Sequence, residues 1–218
     1  MVQNKRPTDG KRRGRPRAYD PETALRQALD AFWKTGFSGT SLDDIAQATG
    51  MNRPSLYAAF GDKHALYLKA LDQYWRDSIE AMRDILDRKL PLAETLMLIF
   101  DRALDIYFSG DGAPRGCFAV GTAVTEAVED AEIRATLTAS LNRLDGNFDA
   151  LIRAARARGE IAPDADPASL AILATATVHT LALRARSGVA RAELQRLARR
   201  AVTVICGREP LDVQPSSG

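Results

Sequence analysis

At 218 residues with 45% hydrophobic content, the chain is long enough for one small and one larger folded unit, and its 30 Lys and Arg against 28 Asp and Glu leave a net charge of only +2. That charge is uneven, because residues 1–63 hold 11 basic and 7 acidic residues while the remainder holds 19 and 21, so a basic N-terminal part precedes a weakly acidic body. Two distant cysteines exclude a disulfide framework and suit a reducing cytoplasm; without paired Cys and His ligands, a phosphate-cradling glycine loop or a catalytic constellation, no metal site, cofactor or enzymatic activity is expected.

Residues 1–17 form a basic, Gly- and Pro-containing segment with almost no apolar residues, so they are expected to be a flexible arm rather than part of a core. No apolar stretch follows them, so no signal peptide is expected. The run Arg13-Gly14-Arg15-Pro16-Arg17 resembles the core of an AT-hook, whose arginines lie in the narrow minor groove of A·T tracts. A solvated tail with weak phosphate attraction is the alternative. Asp20 and Pro21 then open a first helix with Leu25, Ala28, Leu29 and Phe32 on its buried stripe, and Gly36 stops it. Phe32 and Trp33 are expected in the core of the small N-terminal unit.

The stretch Thr40 to Phe60 has the pattern of two short helices joined by one tight turn. Thr40 or Ser41 caps the first, with Asp43 or Asp44 in the capping-box position, and Leu42, Ile45, Ala46 and Thr49 share one face. Gly50 ends it, Met51 plugs the turn, and Asn52 caps a second helix with Pro54 in its first turn. Leu56 and Phe60 pack inward, so Asn52, Arg53, Ser55, Tyr57, Ala58 and Ala59 are left to face outward. Arg and Asn can pair bidentately with guanine and adenine, Ser and Tyr can hold phosphate, and small Ala methyls allow close approach.

With its flanks, Asp20-Pro21-Glu22, Ala28 with Phe32, Gly36-Phe37, Thr40-Ser41-Leu42, Ile45-Ala46, Gly50, Leu56-Tyr57, Phe60-Gly61, Lys63 and Leu66, this stretch resembles the DNA-binding domain of the TetR family of bacterial regulators over residues 17–67. The resemblance implies an all-α protein of about nine helices: arm 1–17, helix-turn-helix head 18–62, regulatory and dimerisation body 63–207, and a disordered tail 208–218. It implies a homodimeric, ligand-responsive regulator, expected to be a repressor, whose partners are a pseudo-palindromic double-stranded operator and a small-molecule effector, with no membrane. The expected DNA contacts are Thr40, Asn52, Arg53, Ser55, Tyr57, Ala58 and Lys63, with Arg13, Arg15 and Arg17 from the arm. In the family Lys63 matches a phosphate contact, and His64 beside it is read as a surface histidine.

Gly61 and Asp62 open a long fourth helix to about Lys89, which Pro91 breaks. The next run, Leu92 to Phe108, is apolar almost all round but too short and too charged to span a bilayer. A cavity between these helices is expected to be lined by Trp75, Met97, Phe100, Leu104, Tyr107, Cys117, Phe118 and Phe148, with core packing the alternative for each. The Arg115-Gly116-Cys117-Phe118 run, with Glu126 nine residues after Cys117, resembles a TetR-type branch in which a Gly-Cys pair opens the sixth helix. At a helix start beside Arg115, Cys117 reads either as a thiol of lowered pKa that senses electrophiles or oxidants, or as a small buried apolar residue. A redox-active or small-molecule-binding helical protein acting through Cys117, with only non-specific DNA association, is the alternative function.

Ala131 to Arg158 forms a long helix. The last two helices start at Asp166-Pro167 and after Gly188. In the family these two pair with their copies, so Leu170, Leu173, Ala174, Thr177, Val178, Leu181, Leu194, Leu197 and Ala201 are the expected dimer contacts.

Overall fold

The computed structural model describes residues 20–110 and 112–207; Arg13, Arg15, Arg17 and the C-terminal tail lie outside them. Every regular element among the described residues is helical: α1 (Pro21–Gly39), α2 (Leu42–Thr49), α3 (Arg53–Phe60), α4 (Lys63–Leu86), α5 (Leu92–Tyr107), a π-helical turn (Ala119–Ala123) running into α6 (Val124–Glu126), α7 (Ala131–Ala157), α8 (Pro167–Arg186) and α9 (Arg191–Cys206). Six of these begin on a side chain that accepts first-turn N–H groups: Asp20, Ser41, Asn52, Asp62, Asp130 and Asp166. Each such cap contributes ~1 kcal/mol by satisfying donors that have no partner inside the helix.

The first three helices enclose Ala28, Phe32, Ile45, Met51, Leu56 and Phe60. Gly50 takes φ 65° at the end of α2, a left-handed conformation that costs glycine nothing, and so turns α3 sharply across α2. Gly36, at φ 78° and ψ 176°, kinks α1 near its end.

From this head α4 runs into the body. Its Tyr67 packs edge-on to Phe32 with ring centroids 5.2 Å apart, and Tyr74 does the same to Trp33 at 5.2 Å. Phe118 lies against Trp33, Tyr67 and Tyr74 together, so Trp33 belongs to an aromatic seam joining head to body rather than to the head core alone. The buried hydroxyl pair Tyr67–Thr122, at 2.7 Å, fixes the π-helical turn to α4 in the same seam.

In the body, α8 packs against α5, α7 and α9. By length and composition α8 alone among the described helices passes for a membrane span, with 44% of that stretch buried in the protomer. The strap between α5 and the π-helical turn presses on α8. Gly116 has φ 65°, and a Cβ there would stand 2.7 Å from the Ala182 carbonyl oxygen, so this approach admits no side chain.

Candidate nucleic-acid interface and effector cavity

The outer face of α3 is set by its cap and by its two inward residues. The Asn52 side-chain oxygen Oδ1 accepts from the Ser55 N–H at 2.9 Å, which leaves the side-chain N–H₂ of this exposed residue as a donor with no partner among the described residues. Leu56 and Phe60 are buried one turn apart, and Asn52, Arg53, Tyr57 and Ala58 are exposed, with Ser55 and Ala59 half-buried. The Tyr57 phenol is 50% exposed.

Arg53 is held from the neighbouring helix. Its Nε donates to Asp43 Oδ1 at 2.7 Å and its Nη2 to Oδ2 at 2.5 Å. The hydrogen bond from Arg53 is the main reason the Asp43 carboxyl sits below the usual carboxylate range, and the same bond raises the Arg53 guanidinium.

Two expected phosphate contacts are otherwise engaged. Thr40 is 1% exposed, and its hydroxyl donates to the Gly36 carbonyl at 2.6 Å, so its side chain cannot reach DNA; Ser41 with Asp44 supplies the capping box instead. The Lys63 ammonium donates to the Phe37 and Thr40 carbonyls at 3.0 and 3.1 Å and lies 4.3 Å from the Phe37 ring centroid, which makes it a tie across the kinked end of α1. His64 is half-buried beside it, with Nε2 2.7 Å from the Asp130 carboxylate that caps α7.

In the body a cavity of about 80 Å³ lies between α4, α5, α7 and α8. Trp75, Ser78, Met82 and Ile85 of α4 line it, facing Ile99, Ala103, Ile106 and Tyr107 of α5, with Cys117, Leu144, Val178 and His179 closing it. Trp75, Tyr107 and Cys117 are therefore on the wall as expected. Phe100, Leu104, Phe118 and Phe148 are not: all four are fully enclosed packing residues, and Met97 is half-buried away from the cavity. On α5 the wall is made by Ile99, Arg102, Ala103, Ile106 and Tyr107, while Phe100 and Leu104 are closed off from it by packing.

The wall is apolar with a few polar groups. The Tyr74 hydroxyl donates to the Cys117 sulfur at 3.1 Å, and the Tyr107 hydroxyl to the Val178 carbonyl at 3.4 Å. Burial pushes the Cys117 thiol up from its ordinary value, against smaller opposing effects from Tyr74 and the Val120 and Ala119 N–H groups. The dipole at the helix start is thus outweighed by desolvation. Arg115 does not help, since its guanidinium lies over the Trp33 ring and pairs with Asp30. Desolvation also lowers His179, which keeps it neutral near pH 7.

On α8 and α9, Leu173 is exposed and Leu170, Leu197 and Ala201 are partly so, whereas Val178, also partly exposed, lines the cavity. Ala174, Leu181 and Leu194 are fully enclosed in the protomer and Thr177 is buried, so these four face the protomer's own core and cannot reach a partner. Ile172, Leu183 and Val204 of the same two helices are exposed as well.

Residues 24–70 match the family described as bacterial regulatory proteins, tetR family, and residues 93–202 match that described as tetracyclin repressor-like, C-terminal domain. The chain belongs to the TetR family. It is accordingly a helix-turn-helix transcriptional regulator and not an enzyme. This TetR-family chain is 30% identical over 189 residues to the HTH-type transcriptional repressor ComR of Escherichia coli K12, covering 86% of this chain and 90% of ComR. Among solved structures it is similar to the TetR family transcriptional regulator CifR, a cysteine mutant complexed with 26-base-pair operator DNA, at 33% identity and TM-score 0.78 over 87% of this chain and 98% of CifR. Escherichia coli NemR in its reduced form, 14% identical, shows the fold alone, with a TM-score of 0.73 over 89% of this chain and 98% of NemR.

The TetR-family pattern did not reveal Asp43 as the partner of Arg53, ten residues away across the turn, or Arg115 as the partner of Trp33. The α4 wall was more accessible: Trp75, Ser78, Met82 and Ile85 recur at helical spacing, and that signal would have found Ser78 and Met82.

Proposed function

We propose that the protein is a homodimeric repressor that binds a pseudo-palindromic operator through two copies of α3 and leaves it when a small molecule enters the body cavity. The observation that carries this reading is the exposed Asn52, Arg53, Tyr57 and Ala58 face on a helix whose own inward residues are buried. In it Asn52 and Arg53 contact bases, Ser55 and Tyr57 contact phosphate, and Ala58 packs close to the groove. Arg13, Arg15 and Arg17 of the arm add minor-groove contacts. A dimer that reads with both heads needs half-sites about one helical turn apart, ~34–36 Å in the simplest arrangement. The Ile172, Leu173, Leu183 and Val204 face of α8 and α9 is the dimer surface in this proposal, being apolar and unburied in one chain. A protein working on operator DNA in this way acts in the cytoplasm.

The effector is a compact, mostly apolar molecule. At about 80 Å³ the cavity is smaller than the ~150 Å³ apolar void that takes up benzene, so an aromatic ring enters only if the walls part. Wall movement at Cys117 is passed through the neighbouring Phe118 and Arg115 to Trp33 and Asp30 of α1. Release requires that the effector bind the non-operator conformation more tightly, and by linkage operator must weaken effector binding by the same factor. Because Cys117 is on the wall, a small thiol-reactive molecule is a second class of effector.

Footprinting on the DNA flanking its own gene tests the reading. A protected pseudo-palindrome is expected; uniform weak protection of all DNA would leave only the non-specific alternative.

A further inference from the structure

Asp43 lies in the first turn of α2 and Arg53 opens α3, and the turn at Gly50 brings them together in a two-bond contact, Nε to Oδ1 and Nη2 to Oδ2. Both side chains are more than half exposed, at 54% for Arg53 and 70% for Asp43. An exposed pair of this kind adds little to folding stability, so its consequence is geometric. A guanidinium carries five N–H donors in one rigid plane. Asp43 occupies the edge made by Nε and one hydrogen of Nη2, which leaves the end made by Nη1 and the other Nη2 hydrogen. Those two parallel donors are the set that matches O6 and N7 of guanine in the major groove.

We infer that Asp43 is a specificity-determining positioning residue, which fixes the Arg53 guanidinium end-on so that this family member reads guanine at one position of each half-site. The inference rests on the proposed role of Arg53 as a base contact. Without Asp43 the long Arg53 side chain samples many rotamers, and it can settle on a phosphate as readily as on a base.

The test uses the full-length protein and an operator in which every base pair is varied in turn. Arg53→Ala identifies the base pair that Arg53 reads. Asp43→Ala, and Asp43→Asn, which keeps the shape but sets an amide N–H₂ against Nη2, are then expected to lose roughly tenfold of the preference for guanine at that same pair. Affinity for random DNA should hold or rise, since a negative charge near phosphate has gone, and thermal stability should be unchanged. The double variant should discriminate no worse than Arg53→Ala.

Full preference at the Arg53 position in Asp43→Ala overturns the inference. So does a loss confined to a different base pair, which would make Asp43 itself a reader, for example of a cytosine amino group. Equal weakening on every sequence overturns it too. Failure of the underlying reading looks different: Arg53→Ala would then change preference at no base pair, and the inference would fall with it.

Discussion

The Arg115 guanidinium lies 3.8 Å from the centre of the Trp33 ring while its Nη1 donates to Asp30 at 2.6 Å, so one side chain from the strap after α5 grips the first helix of the head. The grip closes in both directions, because the Trp33 indole N–H donates to the Arg115 carbonyl at 3.3 Å. A largely covered cation–π contact is worth ~1 kcal/mol and a part-exposed ion pair up to ~1 kcal/mol. Arg115→Ala should therefore cost about 1–2 kcal/mol in urea unfolding and weaken operator binding by loosening the head. Arg115→Lys should recover only part, as an ammonium cannot stack flat on the indole. Unchanged stability in Arg115→Ala would show that the seam is held by its aromatic rings alone.

A second prediction separates a structural lysine from a phosphate-binding one. Lys63→Ala leaves the Phe37 and Thr40 carbonyls without their charged donor, and losing such hydrogen bonds costs roughly 1.5–3 kcal/mol. Urea unfolding should record that loss, while the salt dependence of operator binding stays the same. Flattening of the log–log salt slope by about one unit, with stability intact, would return Lys63 to the phosphate backbone.

Much of the head was legible because its signals are local. The Ser41 and Asp44 capping box, Gly50 at the turn, Asn52 as a cap and Leu56 with Phe60 on one face each depend on residues within about a turn of one another. Thr40 is turned inward onto the Gly36 carbonyl by the kink in α1, and the Lys63 ammonium is held by carbonyls 23 and 26 residues away, which no local pattern shows. On α5 and α8 the difficulty is different. Both are apolar on most sides, so periodicity cannot say which side meets the cavity, the core or a partner, and Phe100, Leu104, Leu181 and Ala174 were given to the wrong neighbours. Cys117 shows a third limit, since the dipole of a helix start can be read from sequence and the burial that overrides it cannot.

The dimer face gives a prediction in which two leucines of one helix behave oppositely. Leu183 is 58% exposed and Leu181 is fully buried. Leu183→Arg, combined with Ile172→Asp, should leave the fold intact and shift the protein to monomer in sedimentation. Operator affinity should drop by a factor of 10²–10⁴ once the heads bind independently. Leu181→Ala should instead cost ~2–5 kcal/mol in stability through the cavity it leaves. A dimer that survives the double surface change would place the interface elsewhere.

Alkaline pH should destabilise this protein earlier than its surface charges alone would. Burial pushes Tyr67 from 10.0 up to about 12, raises Tyr74 and Tyr107 well above 10.0, and raises Cys117 above 9.0. In each case the unfolded chain gives up its proton first, so above those ordinary values the native state binds more protons and stability falls as pH rises. The contribution is complete below about pH 9 and is lost progressively from there through about 12. Urea unfolding across pH 8 to 11 should show the decline, and Tyr74→Phe should make it shallower. A flat profile would mean that these phenols titrate in contact with water.

The last prediction concerns how Cys117 can be reached. An ordinary thiol of pKa 9.0 is about 1% thiolate at pH 7, and burial lowers that fraction further, so the chemistry available there is slow unless a reagent is held beside the sulfur. The route to it is the 80 Å³ cavity, whose wall includes Tyr74, Trp75 and Tyr107. A charged, bulky disulfide reagent should therefore leave Cys117 unlabelled at pH 7 until the protein is unfolded, whereas a compact uncharged electrophile such as acrolein should modify it in the folded state. Tyr74→Phe removes the hydrogen bond that favours the thiolate, so it should slow that modification rather than speed it. Mass spectrometry resolves Cys117 from Cys206, which is also buried but is not on the cavity wall. If Cys117 is the effector site, acrolein should release operator DNA from the wild type and not from Cys117→Ser. Rapid labelling by the charged reagent at pH 7 would show that the helix start governs this thiol after all, and release that persists in Cys117→Ser would leave the cavity as a purely non-covalent site.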